Sequence, residues 1–189
     1  RLGCFHEASL AAGGIIACTG SRGCKYAAAD TKTHAVALLR HLDQHTALTS
    51  PVNIHFTGCP NSCGQHHIAD IGFYGSSRKV GEREVPHYVL LLGGRTREGE
   101  ARFGQVVGRL PARRVPEAVE RILKRYLEER QNGESFQAYL DRVGAASFKP
   151  LLQELQEVPP YEEAPEFYQD LGAEGEAFSV QLGRGECAV

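Results

Sequence analysis

Val52-Asn53-Ile54-His55-Phe56-Thr57-Gly58-Cys59-Pro60-Asn61-Ser62-Cys63-Gly64 is the stretch from which the chain is best read. Val52, Ile54 and Phe56 alternate with Asn53, His55 and Thr57, the period of a strand. The pattern breaks at Gly58, and the turn that follows carries two cysteines spaced C-x3-C. A second pair stands upstream in Ala17-Cys18-Thr19-Gly20-Ser21-Arg22-Gly23-Cys24, spaced C-x5-C, after the apolar run Gly14-Ile15-Ile16-Ala17. Between Cys24 and Cys59 there is room for one helix out and one strand back, so both pairs can meet at one sheet edge.

Four thiolates on Gly- and Pro-bearing loops, with free backbone N–H groups nearby, suit a sulfide-bridged 4Fe–4S cluster. The spacing is not the repeated C-x2-C of a zinc ribbon. A structural zinc site and four buried cysteines acting as small hydrophobes stay open on these residues alone.

The elements around the cysteines follow from periodicity. Ala28, Thr31, Ala35, Leu38, Leu39 and Leu42 recur at helical steps, which puts Cys24 at a helix N-terminus where the dipole favours a thiolate. His34, His41 and His45 fall on the polar side of that helix and are expected to be solvated. Strands are expected at Ile68–Tyr74, His87–Leu92 and Phe103–Leu110, with the charged stretch Ser76–Pro86 as a surface loop. Pro116 opens a helix with Val115, Val119, Ile122, Leu123 and Tyr126 on one face, closed by Asn132-Gly133. Helical pieces follow at Glu134–Val143 and, after Ser147 as N-cap, at Phe148–Leu155. The expected class is α/β (α+β): a mixed sheet flanked by helices, since short loops join the middle strands.

The chain divides by composition into residues 1–156 and an acidic stretch, residues 157–189. The latter holds eight Asp/Glu against one Arg and no helical period, and reads as an extended tail. Arg78–Arg130 holds thirteen Lys/Arg against eight Asp/Glu, a basic stretch suited to an acidic partner protein or a polycarboxylate cofactor. The whole chain carries a net charge of −2, which gives no reason to expect nucleic acid. It shows no membrane-length apolar run and no basic stretch followed by an apolar one at its start, so a reducing, cytoplasmic setting is expected, where paired cysteines favour metal over disulfide. The sequence begins at Arg1 and holds no Met, and it reads as a piece of a longer polypeptide.

The two cysteine segments, with Asp30-Thr31-Lys32, Gln65, Ile68-Ala69-Asp70-Ile71-Gly72-Phe73 and Leu91-Leu92-Gly93-Gly94, closely resemble the nitrite/sulfite reductase family. The resemblance runs from about Gly14 to Val143, with weaker likeness in the tail. It implies that Cys18, Cys24, Cys59 and Cys63 hold a 4Fe–4S cluster, and that Cys63 also supplies the thiolate shared with a sirohaem iron. Thr57 and Asn61, flanking the cluster cysteines, are candidates for supporting contacts, Asn61 equally a turn former after Pro60. The implied reaction is six-electron reduction of nitrite to ammonia or of sulfite to sulfide, with ferredoxin or a flavoprotein as donor. The anion-binding Arg and Lys are then expected in the remainder of the polypeptide, and the piece alone is expected to be inactive. Ser62, Gln65 and the Ala69–Phe73 choices lean towards nitrite. Rival readings are a zinc-stabilised structural module and a cluster protein used only for electron transfer.

Other residues invite less. Cys4 and Cys187 have no close partner in sequence and read as free, inert thiols. His66 and His67 follow the second pair and invite a metal or proton-relay role, but an exposed helix or loop without a role is the expected reading. Gly13-Gly14 and Gly93-Gly94 are turns, not phosphate loops.

Overall fold

The computed structural model describes residues 14–45, 51–173 and 175–180. Cys4, Cys187 and the far end of the acidic stretch lie outside them.

Five strands form one mixed sheet in sequential order: β1 (Ile15–Ala17), β2 (Ile54–Thr57), β3 (Ile71–Val80), β4 (Arg83–Leu92) and β5 (Gln105–Pro111). β1, β2 and β3 are parallel, whereas β4 and β5 add antiparallel. The first crossover is made by α1 (Thr31–Gln44), which packs on β1 and β2. Then come α2 (Val115–Glu129), α3 (Phe136–Val143) and α4 (Lys149–Leu152). Pro116 sits in the first turn of α2, where its missing N–H costs nothing. The α2 face Val115, Val119, Ile122, Leu123 and Tyr126 is buried as its spacing predicts. The core joins Leu38 and Leu42 of α1 to Phe56, Phe73, Tyr88 and Leu90 of the sheet and to α2. Phe56 and Phe73 stack across β2 and β3 at 4.9 Å.

Several expectations need correction. Ser76–Pro86 is not a loop: β3 and β4 pair continuously from Ile71↔Leu92 to Val80↔Arg83. A two-residue turn closes the ribbon, with Gly81 at φ +60, the left-handed backbone that a tight hairpin needs. Backbone hydrogen bonds hold this ribbon whatever the polarity of its side chains, so a charge run concealed it. Ile68 belongs to a single 3-10 turn (His66–Ile68), and β3 begins three residues later. Phe103 is 71% exposed and precedes β5. α2 ends at Glu129, ahead of Asn132-Gly133, which form a separate turn. α3 starts at Phe136 because Ser135 caps it, accepting from the Ala138 N–H. Ser147 caps nothing: its hydroxyl donates back to the Gly144 carbonyl within a 3-10 turn that leads into α4.

The buried stripe of α1 is Thr31, His34, Leu38 and Leu42. His34 is therefore in the core and not solvated. It meets Tyr88 edge-on at 5.1 Å, and its Nε2 lies 2.8 Å from Asp170 Oδ1. His41 is half-buried against Glu120 of α2. In both cases an acceptor from elsewhere in the chain turned a polar face inward.

Candidate metal centre

Because β1 and β2 are parallel, their carboxyl ends lie side by side, and each feeds directly into a cysteine loop. Cys18 follows β1, its amide donating to the Phe56 carbonyl at 3.1 Å. Cys59 and Cys63 follow β2. The two loops touch: the Ala28 N–H donates to the Gly58 carbonyl at 2.7 Å. Gly58 is required for that approach, since a Cβ there would stand 2.6 Å from the Cβ of Ala27. Gly64 is required for the return of the chain, since its Cβ would stand 2.3 Å from the Phe56 carbonyl oxygen. Ser62 and Gln65 both hold φ +58, an uncommon conformation for residues with a Cβ. The turn presenting Cys63 is thus over-determined by its surroundings.

The four thiols converge, and none is in a disulfide. Burial raises the Cys59 pKa, and the charges of Cys24, Cys63 and Cys18 raise it further, against a backbone hydrogen bond from Asn61 that lowers it. Thiolates gathered this way repel one another until a multiply charged cation sits among them. Cys18, Cys24 and Cys59 are half-buried, whereas Cys63 is exposed. Among the described residues no three of these sulfurs lie within 4.8 Å of each other. A single zinc ion bonded to sulfur at about 2.3 Å would draw its thiolates to about 3.8 Å apart. The wider spacing fits a cluster with several iron atoms better than a mononuclear ion.

The supporting contacts differ in part from expectation. Cys24 is not at a helix N-terminus: it lies in a turn, its amide donating to the Gly20 carbonyl at 3.0 Å, and α1 starts seven residues later. Asp30 caps that helix, accepting from the Thr33 N–H, and its carboxylate also binds Arg22 of the C-x5-C loop. It is therefore Cys18 that meets the helix start. Its Sγ is 3.7 Å from Thr31 Oγ1, whose hydroxyl donates to the Cys18 carbonyl at 2.8 Å. The Gly58 N–H donates to Cys18 Sγ at 3.2 Å. Asn61 is exposed and reaches Cys59 through its backbone, not its side chain. Thr57 is fully buried, with Oγ1 3.1 Å from His66 Nδ1.

Sequence reasoning passed over Thr31 and Gly58 as thiol contacts. Asp30-Thr31 before an apolar period is a cap signal that could have moved the helix start and found Thr31.

Three histidines tie the second loop down. His55 Nδ1 is 3.2 Å from the Gln65 carbonyl, His67 Nδ1 is 3.0 Å from Ser62 Oγ, and His66 holds Thr57. His66 is fully buried with Nε2 unpartnered, and burial, with His67 and His55 nearby, lowers its pKa from 6.5 to about 4. The folded chain thus keeps this imidazole neutral where the unfolded chain takes up a proton. Its contribution is complete above pH 6.5 and is lost as pH falls towards about 4, up to about 3 kcal/mol. His87, buried on the Val85 carbonyl, acts in the same direction. Urea unfolding at pH 7.5 and pH 5 should show this loss, and His66→Gln should make it smaller; equal losses in both proteins would remove His66 as the cause.

Comparison with known proteins bears on this geometry. The family described as the nitrite and sulphite reductase 4Fe-4S domain matches residues 12–159. The chain belongs to that family. The family's cofactors are a 4Fe–4S cluster and sirohaem, and its members are oxidoreductases. A ferredoxin–nitrite reductase of Leptolyngbya laminosa is 42% identical over 81 residues, which cover 43% of this chain and 16% of that protein. A ferredoxin sulfite reductase of Mycolicibacterium paratuberculosis is 32% identical over 136 residues, 68% of this chain and 24% of that protein. The structure of the Mycobacterium tuberculosis NirA protein superimposes with a TM-score of 0.66 at 29% identity, covering 75% of this chain and 27% of that one. The chain thus spans about a quarter or less of the length of these relatives. Among the described residues no helix is long and apolar enough to cross a membrane.

Proposed function

We propose that this chain is the cluster- and sirohaem-holding part of an enzyme that reduces nitrite to ammonia by six electrons, drawn from ferredoxin. In this reading Cys18, Cys24, Cys59 and Cys63 bind the cluster, and Cys63 is shared with the sirohaem iron. The convergence of four thiols at the carboxyl ends of two parallel strands carries the assignment. When bound, these groups would supply an electron relay and an iron able to hold the anion. The chain's own contribution is to hold the ligands. Thr31 and the Gly58 N–H hydrogen-bond to Cys18, the Asn61 N–H to Cys59, and the exposed Cys63 thiol remains available to a second group. The cations that bind the anion are assigned to the rest of the polypeptide, so residues 1–156 complete a site only with that partner.

Nitrite is favoured by four relatives named ferredoxin–nitrite reductase at 41–43% identity. Sulfite is the second reading, because the sulfite reductase relative matches over more of the chain. The kcat/KM of the whole enzyme for both anions with one reductant decides between them; a higher value for sulfite overturns the first reading.

Ferredoxin as donor rests on the same relatives. The basic stretch adds less than its net charge promises, because Arg121, Lys124 and Arg125 of α2 are answered by Glu117, Glu120 and Glu129. Ferredoxin-driven turnover that fails to fall with rising salt, while dye-driven turnover holds, would leave the basic surface without a role.

A further inference from the structure

Away from the cysteines, α1 and α2 bring together a second set of metal-binding side chains. His41 and His45 stand one turn apart at the end of α1, so their rings share a face, with centroids 4.9 Å apart. Both are directed at one carboxylate oxygen of α2: Glu120 Oε2 is 2.7 Å from His41 Nε2 and 3.9 Å from His45 Nε2. One donor atom from each residue falls within 4.8 Å of the others, and among the described residues no other group of three His, Cys, Asp or Glu side chains does so.

We infer that His41, His45 and Glu120 form a binding site for a divalent transition-metal ion of the zinc class, distinct from the cysteine centre. Ion pairing alone reaches both histidines unequally: His41 hydrogen-bonds to Glu120, whereas His45 stands at the outer limit of an ion pair. Its Nε2 is too far from the carboxylate to hydrogen-bond, yet it points at the same oxygen. An ion placed between the three atoms satisfies all of them. Around zinc, nitrogen and oxygen donors at about 2.0–2.1 Å stand about 3.4 Å apart. The separations of Glu120 Oε2 from His41 Nε2 (2.7 Å) and His45 Nε2 (3.9 Å) bracket that value, and the ligand atoms of all three residues lie within 4.8 Å of one another. Lys124 fixes the other oxygen, with Nζ 3.2 Å from Glu120 Oε1, which orients the carboxylate as supporting groups do in metal sites. The Glu120 side chain is 17% exposed and that of His45 41%, so the carboxylate is sheltered while an entry path stays open. Two imidazoles and one carboxylate leave a coordination position for water, and clamp the end of α1 to α2.

The test is calorimetric titration of ZnCl2 into the untagged, cluster-loaded protein at pH 7.5, where free imidazole is neutral. One saturable site with Kd near about 10 µM is expected, weakened roughly 10-fold or more by His45→Ala and by Glu120→Gln. The His45 side chain is half-exposed, so His45→Ala should fold normally, as circular dichroism will check. Co2+ adds an independent readout. A nitrogen–oxygen site gives weak visible bands, whereas ligation by the cysteines gives intense sulfur charge transfer. Absence of saturable binding up to about 1 mM, affinity unchanged in both variants, or thiolate bands with Co2+ would each overturn the site and leave an ion pair only.

Discussion

Cys63→Ser in the whole enzyme should disturb the cluster and the sirohaem spectra together and lower turnover by at least about 100-fold. Cys63 ends the C-x3-C turn and is the exposed member of the four thiols, and the proposed function makes it the one shared with the sirohaem iron. A hydroxyl is a hard, weakly acidic substitute for a soft thiolate, so ligation on both sides weakens at once. Cys59→Ser is the control: Cys59 is half-buried, and its loss should reach the haem only through the cluster. Loss of the cluster from Cys63→Ser with an unaltered haem signal would assign the shared thiolate elsewhere.

Asp170→Ala should cost about 3 to 4 kcal/mol, because one carboxylate satisfies two buried donors. It accepts from the Asp30 N–H at 2.8 Å and meets His34 Nε2 at 2.8 Å, with Asp170 itself 7% exposed. The damage should not stay local. Asp30 caps α1 and binds Arg22 of the C-x5-C loop, and the next residue, Thr31, contacts Cys18. The variant is therefore expected to unfold roughly 10 °C lower, and to lose its cluster absorption faster under an iron chelator. Asp170→Asn, which keeps an acceptor oxygen, should recover part of both. A melting midpoint unchanged in Asp170→Ala would show that the contact does not hold the loop.

The sequence was most legible where one local rule governs. Alternation at Val52–Phe56, Pro116 ahead of an apolar period and the Gly-flanked cysteine turns each found their element, because strand pleat, helix pitch and turn conformation are set by near neighbours. It was least legible where the deciding partner is distant. Periodicity alone puts His34 on the solvent side, because nothing nearby in sequence announces Asp170, 136 residues away. The Ser76–Pro86 ribbon was hidden because its charges obey solubility while its backbone obeys β4.

By itself, then, the sequence determined that four thiolates sit on two loops at the ends of strands, and which family that pattern resembles. The tertiary structure decided how those loops meet, through the parallel pairing of β1 and β2 and the glycine contacts at 58 and 64. It alone placed Thr31 against Cys18, Asp170 beneath the cap of α1, and Glu120 between His41 and His45. The physical reason is range: backbone preferences act over a few residues, whereas the satisfaction of a buried donor or a shared charge depends on whatever the fold brings beside it.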